Sequence, residues 1–107
     1  MSIQDALKGI RRRYADHLHD HRAQLSNLVQ DARQGPDPVA AIEQIRFRAH
    51  KISGTAATLG FQSLGETAAL CEQRANVCLE AQAHVDPMLA VATQLIGRID
   101  EALGDIG

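Results

Sequence analysis

The chain has 107 residues and a formal net charge of −2, with an isoelectric point near 6.2. This length predicts a single domain spanning residues 1–107, since a division would leave two marginal hydrophobic cores. The acidic balance provides no overall attraction to nucleic acid, and a content of 45% hydrophobic and 22% charged residues excludes a disordered tail.

The sequence predicts neither a targeting segment nor a membrane-spanning helix. Its opening, MSIQDALKG, lacks the basic residues and the apolar stretch of a signal peptide. No apolar run approaches the ~20 residues that a bilayer-spanning helix needs. We therefore expect a cytoplasmic protein that has no membrane partner.

The first predicted helix begins near Ser2, whose hydroxyl can cap the helix while Asp5 lies three residues further on. It ends around the QGPD sequence at residues 34–37. Apolar residues recur along it at steps of three, four or seven, which predicts one inward-facing seam. The seam consists of Leu7, Ile10, Tyr14, Leu18, Leu25, Leu28 and Ala32.

The second predicted helix starts with Asp37 as N-cap and Pro38 at the first helical position, where proline loses no needed hydrogen bond. Gly60 and Phe61 form the turn that follows it. Its inward face is predicted from apolar residues at helical spacing. These are Val39, Ile42, Ile45, Ala49, Ile52, Ala56 and Leu59.

The third predicted helix carries an apolar stripe of Leu64, Ala68, Cys71, Ala75 and residues 77–79. Cys71 and Cys78 lie about 10 Å apart along this helix, too far for a disulfide, and Cys71 is predicted to be a small core residue. Asp86 and Pro87 repeat the cap-and-proline pair and open a fourth helix. Its inward face comprises Met88, Ala92, Leu95, Ile96, Ile99 and Leu103.

No segment shows the strict alternation of apolar and polar residues that is typical of a half-buried strand. Four helices with one apolar seam each, joined by short connections, bury those seams best as a bundle. The sequence therefore predicts an all-α fold, an antiparallel up-down-up-down four-helix bundle.

The stretch AHKISGTAATLG, residues 49–60, places a glycine inside a helix, which costs about 1 kcal/mol relative to alanine. His50 points about 130° away from the centre of the inward stripe and should face solvent. Gly54 and Ala57 follow on the same face at helical spacing. Their small size would let a partner's backbone and reactive group approach the imidazole closely.

The sequence HKISGTAATLGF resembles the phosphoacceptor motif of histidine-containing phosphotransfer (HPt) domains. His50, Gly54 and Gly60 match the motif histidine, the glycine four residues later and the glycine ten residues later. Leu64, Glu72 and the long first helix, which contains Tyr14, extend the likeness over essentially the whole chain.

The resemblance implies a phosphorelay, in which His50 accepts a phosphoryl group from a receiver-domain phosphoaspartate and passes it to another receiver. The partners would be response-regulator receiver domains and a hybrid histidine kinase. The neutral imidazole nitrogen is nucleophilic near pH 7, which agrees with this role. We expect a monomeric phosphocarrier without catalytic turnover of its own, with no cofactor or metal in this chain and with Mg²⁺ on the receiver.

The resemblance also assigns Glu72 as the residue that orients the imidazole by accepting a hydrogen bond from its inner nitrogen. Arg46 and Lys51 are placed to offset the negative charge of the phosphoryl group. The alternative for Glu72 is an ordinary solvated glutamate.

Partner docking is predicted for Phe47, which faces outward one turn before His50, and for the surface at the small residues Gly54 and Ala57. The two small residues have an alternative role in close helix packing. Ser53 stands where many HPt domains carry lysine, which puts the rate of transfer in question. It is also the one hint of a second hypothesis, a helical adaptor that binds a receiver or kinase without being phosphorylated.

Two other patterns have competing interpretations. His17 and His21 are four residues apart, a spacing that can present two ligands to a metal, but no third ligand is fixed by the sequence and packing at the core boundary is favoured. Residues 11–13 are all arginine. Without an aromatic platform they indicate a solvated or partner-docking patch rather than a nucleic-acid site.

Overall fold

The computed structural model describes residues 2–81 and 84–107, and these form four helices in the predicted order. They are α1 (Ile3–Gln34), α2 (Pro38–Leu59), α3 (Gln62–Ala81) and α4 (Asp86–Ile106). Helices α1 and α3 each pack against both α2 and α4, so the four close into a ring around one core. The described residues contain no strand. The predicted all-α four-helix bundle is confirmed.

Contacts between helix ends show the antiparallel arrangement. Arg11, near the start of α1, donates a hydrogen bond of 3.1 Å to the carbonyl of Leu59 at the end of α2. Further along, Arg48 of α2 donates to Asp20 of α1 over 3.2 Å. The molecule measures 51 × 20 × 17 Å, and the 32 residues of α1 span nearly its full length. None of the four described helices is long and apolar enough to cross a membrane.

The predicted N-caps of the first two helices are confirmed. Ser2 and Asp5 form a reciprocal capping box, in which the Asp5 N–H donates to the Ser2 hydroxyl over 3.2 Å. The side chain of Asp37 accepts a hydrogen bond of 3.1 Å from the N–H of Ala40. Both caps satisfy donors that the first helical turn leaves without an intrahelical partner.

Gly60 ends α2 in the left-handed conformation, with φ of 86°. Its N–H bonds the carbonyl of Ala57 over 3.3 Å, and the N–H of Phe61 bonds that of Ala56 over 2.9 Å. This pair of bonds is a Schellman motif, and glycine adopts its positive φ without the steric cost that a Cβ imposes.

The predicted N-cap at Asp86 is wrong. Val85 already has helical backbone angles, and its carbonyl accepts the N–H of Leu89 over 2.9 Å. Asp86 is therefore the first residue of α4 and makes no capping hydrogen bond with its side chain. Its carboxylate still lies in the first turn, where a negative charge is favourable to the helix dipole.

The hydrophobic core draws on all four helices. The largest fully buried side chains are Leu18, Leu25, Ile45, Ile52, Met88, Leu89, Leu95, Ile99 and Cys71. Most of these were predicted from helical spacing. Val29 and Val91 are also buried, although the predicted seams did not include them.

Leu7 and Ile10 were predicted to face inward but are exposed. Arg11, the next residue along α1, already contacts the last residue of α2. Because α2 ends at the level of Arg11, it does not extend far enough to cover the side chains of Leu7 and Ile10.

Val39 and Val77 are likewise exposed, against the prediction. Val39 lies in the first turn of α2, at the edge of the face that Ile42 and Ile45 bury. Val77 lies about 100° around the helix from the buried Cys78 and projects away from the core.

Arg11 and Tyr14 of α1 pack against Phe61 in the turn between α2 and α3. The guanidinium of Arg11 lies 5.3 Å from the ring centroid of Phe61, and the ring of Tyr14 lies 6.0 Å from it. Because Arg11 also bonds the Leu59 carbonyl, it stabilises the C-terminal end of α2. Arg11 is thus a structural residue and not part of a solvated basic patch.

Both cysteines are free and buried, and Cys71 is fully enclosed as predicted. Burial, with a smaller contribution from the nearby charge of Glu72, raises the pKa of the Cys71 thiol to about 12. The thiol therefore stays protonated and behaves as a small apolar group.

The hydroxyl of Tyr14 is buried without a hydrogen-bond partner among the described residues, and burial raises its pKa to about 12. We predict that Tyr14→Phe leaves the free energy of unfolding unchanged at pH 7 or raises it by about 1 kcal/mol, because it removes an unsatisfied polar group. Since the unfolded chain ionises this group first, near the ordinary tyrosine pKa of 10.0, the wild type should lose stability between about pH 10 and 12, and the variant should lose less.

Urea unfolding at pH 7 and pH 11 measures both effects, and Tyr14 is the single tyrosine of the chain. A variant destabilised by more than 1 kcal/mol at pH 7 would show that the hydroxyl has a partner after all.

Candidate functional site

His50 projects from the middle of α2 into solvent, with 71% of its side chain exposed. Its neighbours Ala49 and Ile52 are fully buried and fix the rotation of the helix. The predicted exposure of the imidazole is therefore confirmed.

The inner nitrogen of His50, Nδ1, lies 2.8 Å from the Oε2 atom of Glu72 on α3. An ionised carboxylate only accepts hydrogen bonds, so Nδ1 carries the proton and donates it to Glu72. In the neutral ring, the lone pair is then on Nε2. The structure thus brings together the two residues that the family resemblance paired, and it leaves the lone pair of the neutral ring on the outer nitrogen.

Helix α3 approaches α2 closely at Gly65, a residue that the sequence analysis did not single out. A Cβ atom there would lie 3.4 Å from the backbone nitrogen of Ala57 and 3.6 Å from the carbonyl oxygen of Ser53. Ala68 and Cys71 continue the buried face of α3, and Glu72 follows at its edge, half-buried and facing α2. A glycine within a predicted helix, the feature that also marks Gly54, could have indicated this close approach from the sequence.

Gly54 lies on an open part of the surface. A Cβ atom built on it meets nothing within 4 Å, so the alternative that it permits close helix packing is wrong. Ala57, further along the same face, is exposed, although its backbone is the part of α2 that Gly65 approaches. Among the described residues, no side chain therefore fills the space over the Cα atom of Gly54.

Two cations flank His50 on α2 and are held by uncharged groups. The ammonium of Lys51 lies 4.8 Å from the ring centroid of Phe47, and Arg46 donates a hydrogen bond of 3.4 Å to the side-chain oxygen of Asn76. Neither forms an ion pair with any described residue. Their positive charges thus remain available to an incoming anion.

Phe47 is 52% exposed, as its predicted docking role requires, and Lys51 lies over its ring. Ser53 donates its hydroxyl to the carbonyl of His50 over 2.9 Å. The position where many HPt domains carry lysine therefore contributes no charge, and its side chain is tied to the helix backbone.

The histidines of α1 have a different setting. His21 is half-buried, and its Nδ1 lies 3.1 Å from the guanidinium of Arg48. Burial, reinforced by the positive charge of Arg48, lowers the pKa of His21. Residues 2–81 and 84–107 contain no cluster of three or more His, Cys, Asp or Glu side chains arranged to hold a metal.

Comparison with protein-family models matches residues 9–105 of the chain to the Hpt domain. The chain belongs to the Hpt domain family. Hpt domains are phosphocarriers of phosphorelays, and they interact with receiver or kinase proteins of two-component systems. Searches of the curated proteins and of the solved structures find no match for this Hpt domain.

The open setting of Gly54 leads to a stability prediction. Gly54→Ala should raise the free energy of unfolding by about 1 kcal/mol, because alanine is the better helix former and its methyl group meets no neighbour. Thermal or urea unfolding measures the change. Gly60→Ala is the matched control and should destabilise, since that residue has positive φ. Equal destabilisation by both substitutions would contradict the prediction.

Proposed function

We propose that His50 accepts a phosphoryl group from the phosphoaspartate of a receiver domain and passes it to the aspartate of another receiver. The observation that carries this proposal is the 2.8 Å contact between Nδ1 and Glu72 on a ring whose side chain is 71% exposed. A nucleophile that acts on another protein must be both oriented and accessible, and this ring is both.

The proposed transfer needs no reactant other than the phosphorylated receiver and His50. The Nε2 lone pair of His50 attacks phosphorus as the bond from phosphorus to the aspartyl oxygen breaks, and the aspartate leaves as a carboxylate. The ring keeps its Nδ1 proton and becomes a cationic phosphoimidazolium. Glu72 stabilises that positive charge through the hydrogen bond that already orients the ring. The reverse sequence delivers the group to the second receiver.

Charge compensation in the transfer is divided between the two proteins in this proposal. Phosphoryl transfer depends on in-line positioning and on neutralising the equatorial oxygens. Lys51 and Arg46 contribute positive charge from this chain, and their uncharged partners Phe47 and Asn76 allow them to turn toward the phosphoryl group. We expect the receiver to supply Mg²⁺ and most of the remaining groups.

The docking surface is proposed to include Phe47, one turn before His50, and the small residues Gly54 and Ala57, which follow His50 on the same face of α2. A receiver must bring its aspartate within bonding distance of Nε2, which bulky side chains at this place would prevent. Complexes should be short-lived, because a carrier releases each partner after exchange.

The direct test incubates the full chain with a panel of phosphorylated receiver domains in Mg²⁺. We expect an acid-labile, alkali-stable phosphoryl adduct on the wild type and none on His50→Gln. His19→Gln, at an exposed position of α1, is the matched control and should be labelled like the wild type. If receivers of the panel bind the chain and none of them labels His50, the adaptor hypothesis is supported and the phosphocarrier is refuted.

Glu72 gives a second prediction. Glu72→Ala should slow phosphorylation of His50 about tenfold, because it removes a hydrogen bond to a charged group. Glu72→Gln retains an acceptor oxygen and should lose much less. Rapid-quench measurement of the transfer rate, with circular dichroism to verify the fold, separates the two variants. Equal rates for Glu72→Ala and the wild type would show that the carboxylate has no orienting role.

A further inference from the structure

A pocket opens between α1 and α2, on the side of α2 that faces away from Glu72. It is lined by Tyr14, His17, His21, Lys51 and Thr55. We propose that this pocket binds a small oxyanion of the phosphate class. The inference goes beyond phosphoryl transfer at His50, since the ligand is a free ion held by noncovalent contacts.

The size of the pocket selects a small ligand. Its volume of about 240 Å³ is below the roughly 300–1,000 Å³ of clefts that enclose drug-sized molecules. A tetrahedral ion fits such a space and can accept hydrogen bonds from several directions at once.

The lining supplies donors without a competing carboxylate. Lys51 has an ammonium that no described acidic residue pairs and that can turn into the pocket from its place over the Phe47 ring, and Thr55 offers a hydroxyl. Asp20, which precedes His21 in the chain, is engaged by Arg48 over 3.2 Å. The fixed positive charge at the pocket is therefore greater than the fixed negative charge.

The contact between Arg48 and His21 determines which ring nitrogen can donate. A guanidinium has no acceptor atom, so at 3.1 Å it must donate to Nδ1 of His21, which is then unprotonated. The neutral ring consequently carries its proton on Nε2. This N–H makes no hydrogen bond with a described residue and is the donor that the ring can offer to an anion.

The same contact provides a spectroscopic signature. The charged groups that act on His21 are Arg48 and Lys51 of α2 and Asp20 of α1, and His17 is a further neighbour. Burial and the two cations lower the pKa of His21, which favours the neutral ring, while Asp20 acts in the opposite direction. An oxyanion bound beside it would favour the protonated form, so the pKa of His21 should rise when the pocket fills.

The test titrates the full chain with inorganic phosphate at pH 7, with ionic strength held constant by sodium chloride, and follows the histidine ring nitrogens by NMR. We expect saturable shifts at His17 and His21 and a rise in the His21 pKa, with no saturable shift at the exposed His19. Sulfate, which has the same tetrahedral shape, should compete. Shifts that do not saturate, or that chloride alone reproduces, would overturn the proposal.

Substitutions of the lining residues test whether the ion binds in this pocket. Thr55→Val, at an exposed position that should leave the fold intact, and His21→Gln should each weaken phosphate binding about tenfold, the loss of one hydrogen bond to a charged group. His19→Gln is the matched control and should bind like the wild type. Undiminished binding by Thr55→Val would refute the assignment even if His21→Gln failed to fold.

His50→Gln separates this inference from the phosphocarrier proposal. It should bind phosphate with wild-type affinity, because no atom of His50 lines the pocket. Loss of phosphate binding in His50→Gln would show that the ion binds at the imidazole of His50 and would overturn the assignment of the binding site to the pocket.

Discussion

The burial of one face of α2 is the constraint on which the rest of the structure depends. Ile45, Ala49, Ile52 and Ala56 are completely enclosed, and they fix the rotation of the helix about its own axis. A rotation that exposed this face would remove several apolar side chains from the core at about 1.5–3 kcal/mol for each large one. The direction of His50 is therefore set by the hydrophobic effect and needs no dedicated contact of its own.

Orientation of the imidazole requires a second helix at the correct distance. Gly65 lets α3 approach the backbone of Ala57, and Glu72 lies two turns further along α3 at the height of His50. The chain thus uses its small residues in two ways. At Gly65 the missing side chain brings two helices together, and at Gly54 it leaves the surface open.

Helical spacing and capping residues predicted the four helices, two of their N-caps and the outward direction of His50, because these depend on neighbours within one helix. Contacts between helices were less accessible to such reasoning. The exposure of Leu7 and Ile10 depends on where α2 ends, and the role of Arg11 depends on which carbonyl it meets. The pairing of His50 with Glu72 came from family resemblance, since spacing within a helix cannot give the register between α2 and α3.

The hydrogen bond from His50 to Glu72 joins residues that lie 22 positions apart in the chain. It exists only while both helices keep their register, since a slip of one residue along α3 displaces Glu72 by about 1.5 Å and 100°. A partly unfolded chain retains the histidine but not the carboxylate beside it. The orientation of this imidazole is consequently a property of the assembled bundle, and a chain that has lost the register of α3 presents a ring that Glu72 no longer holds.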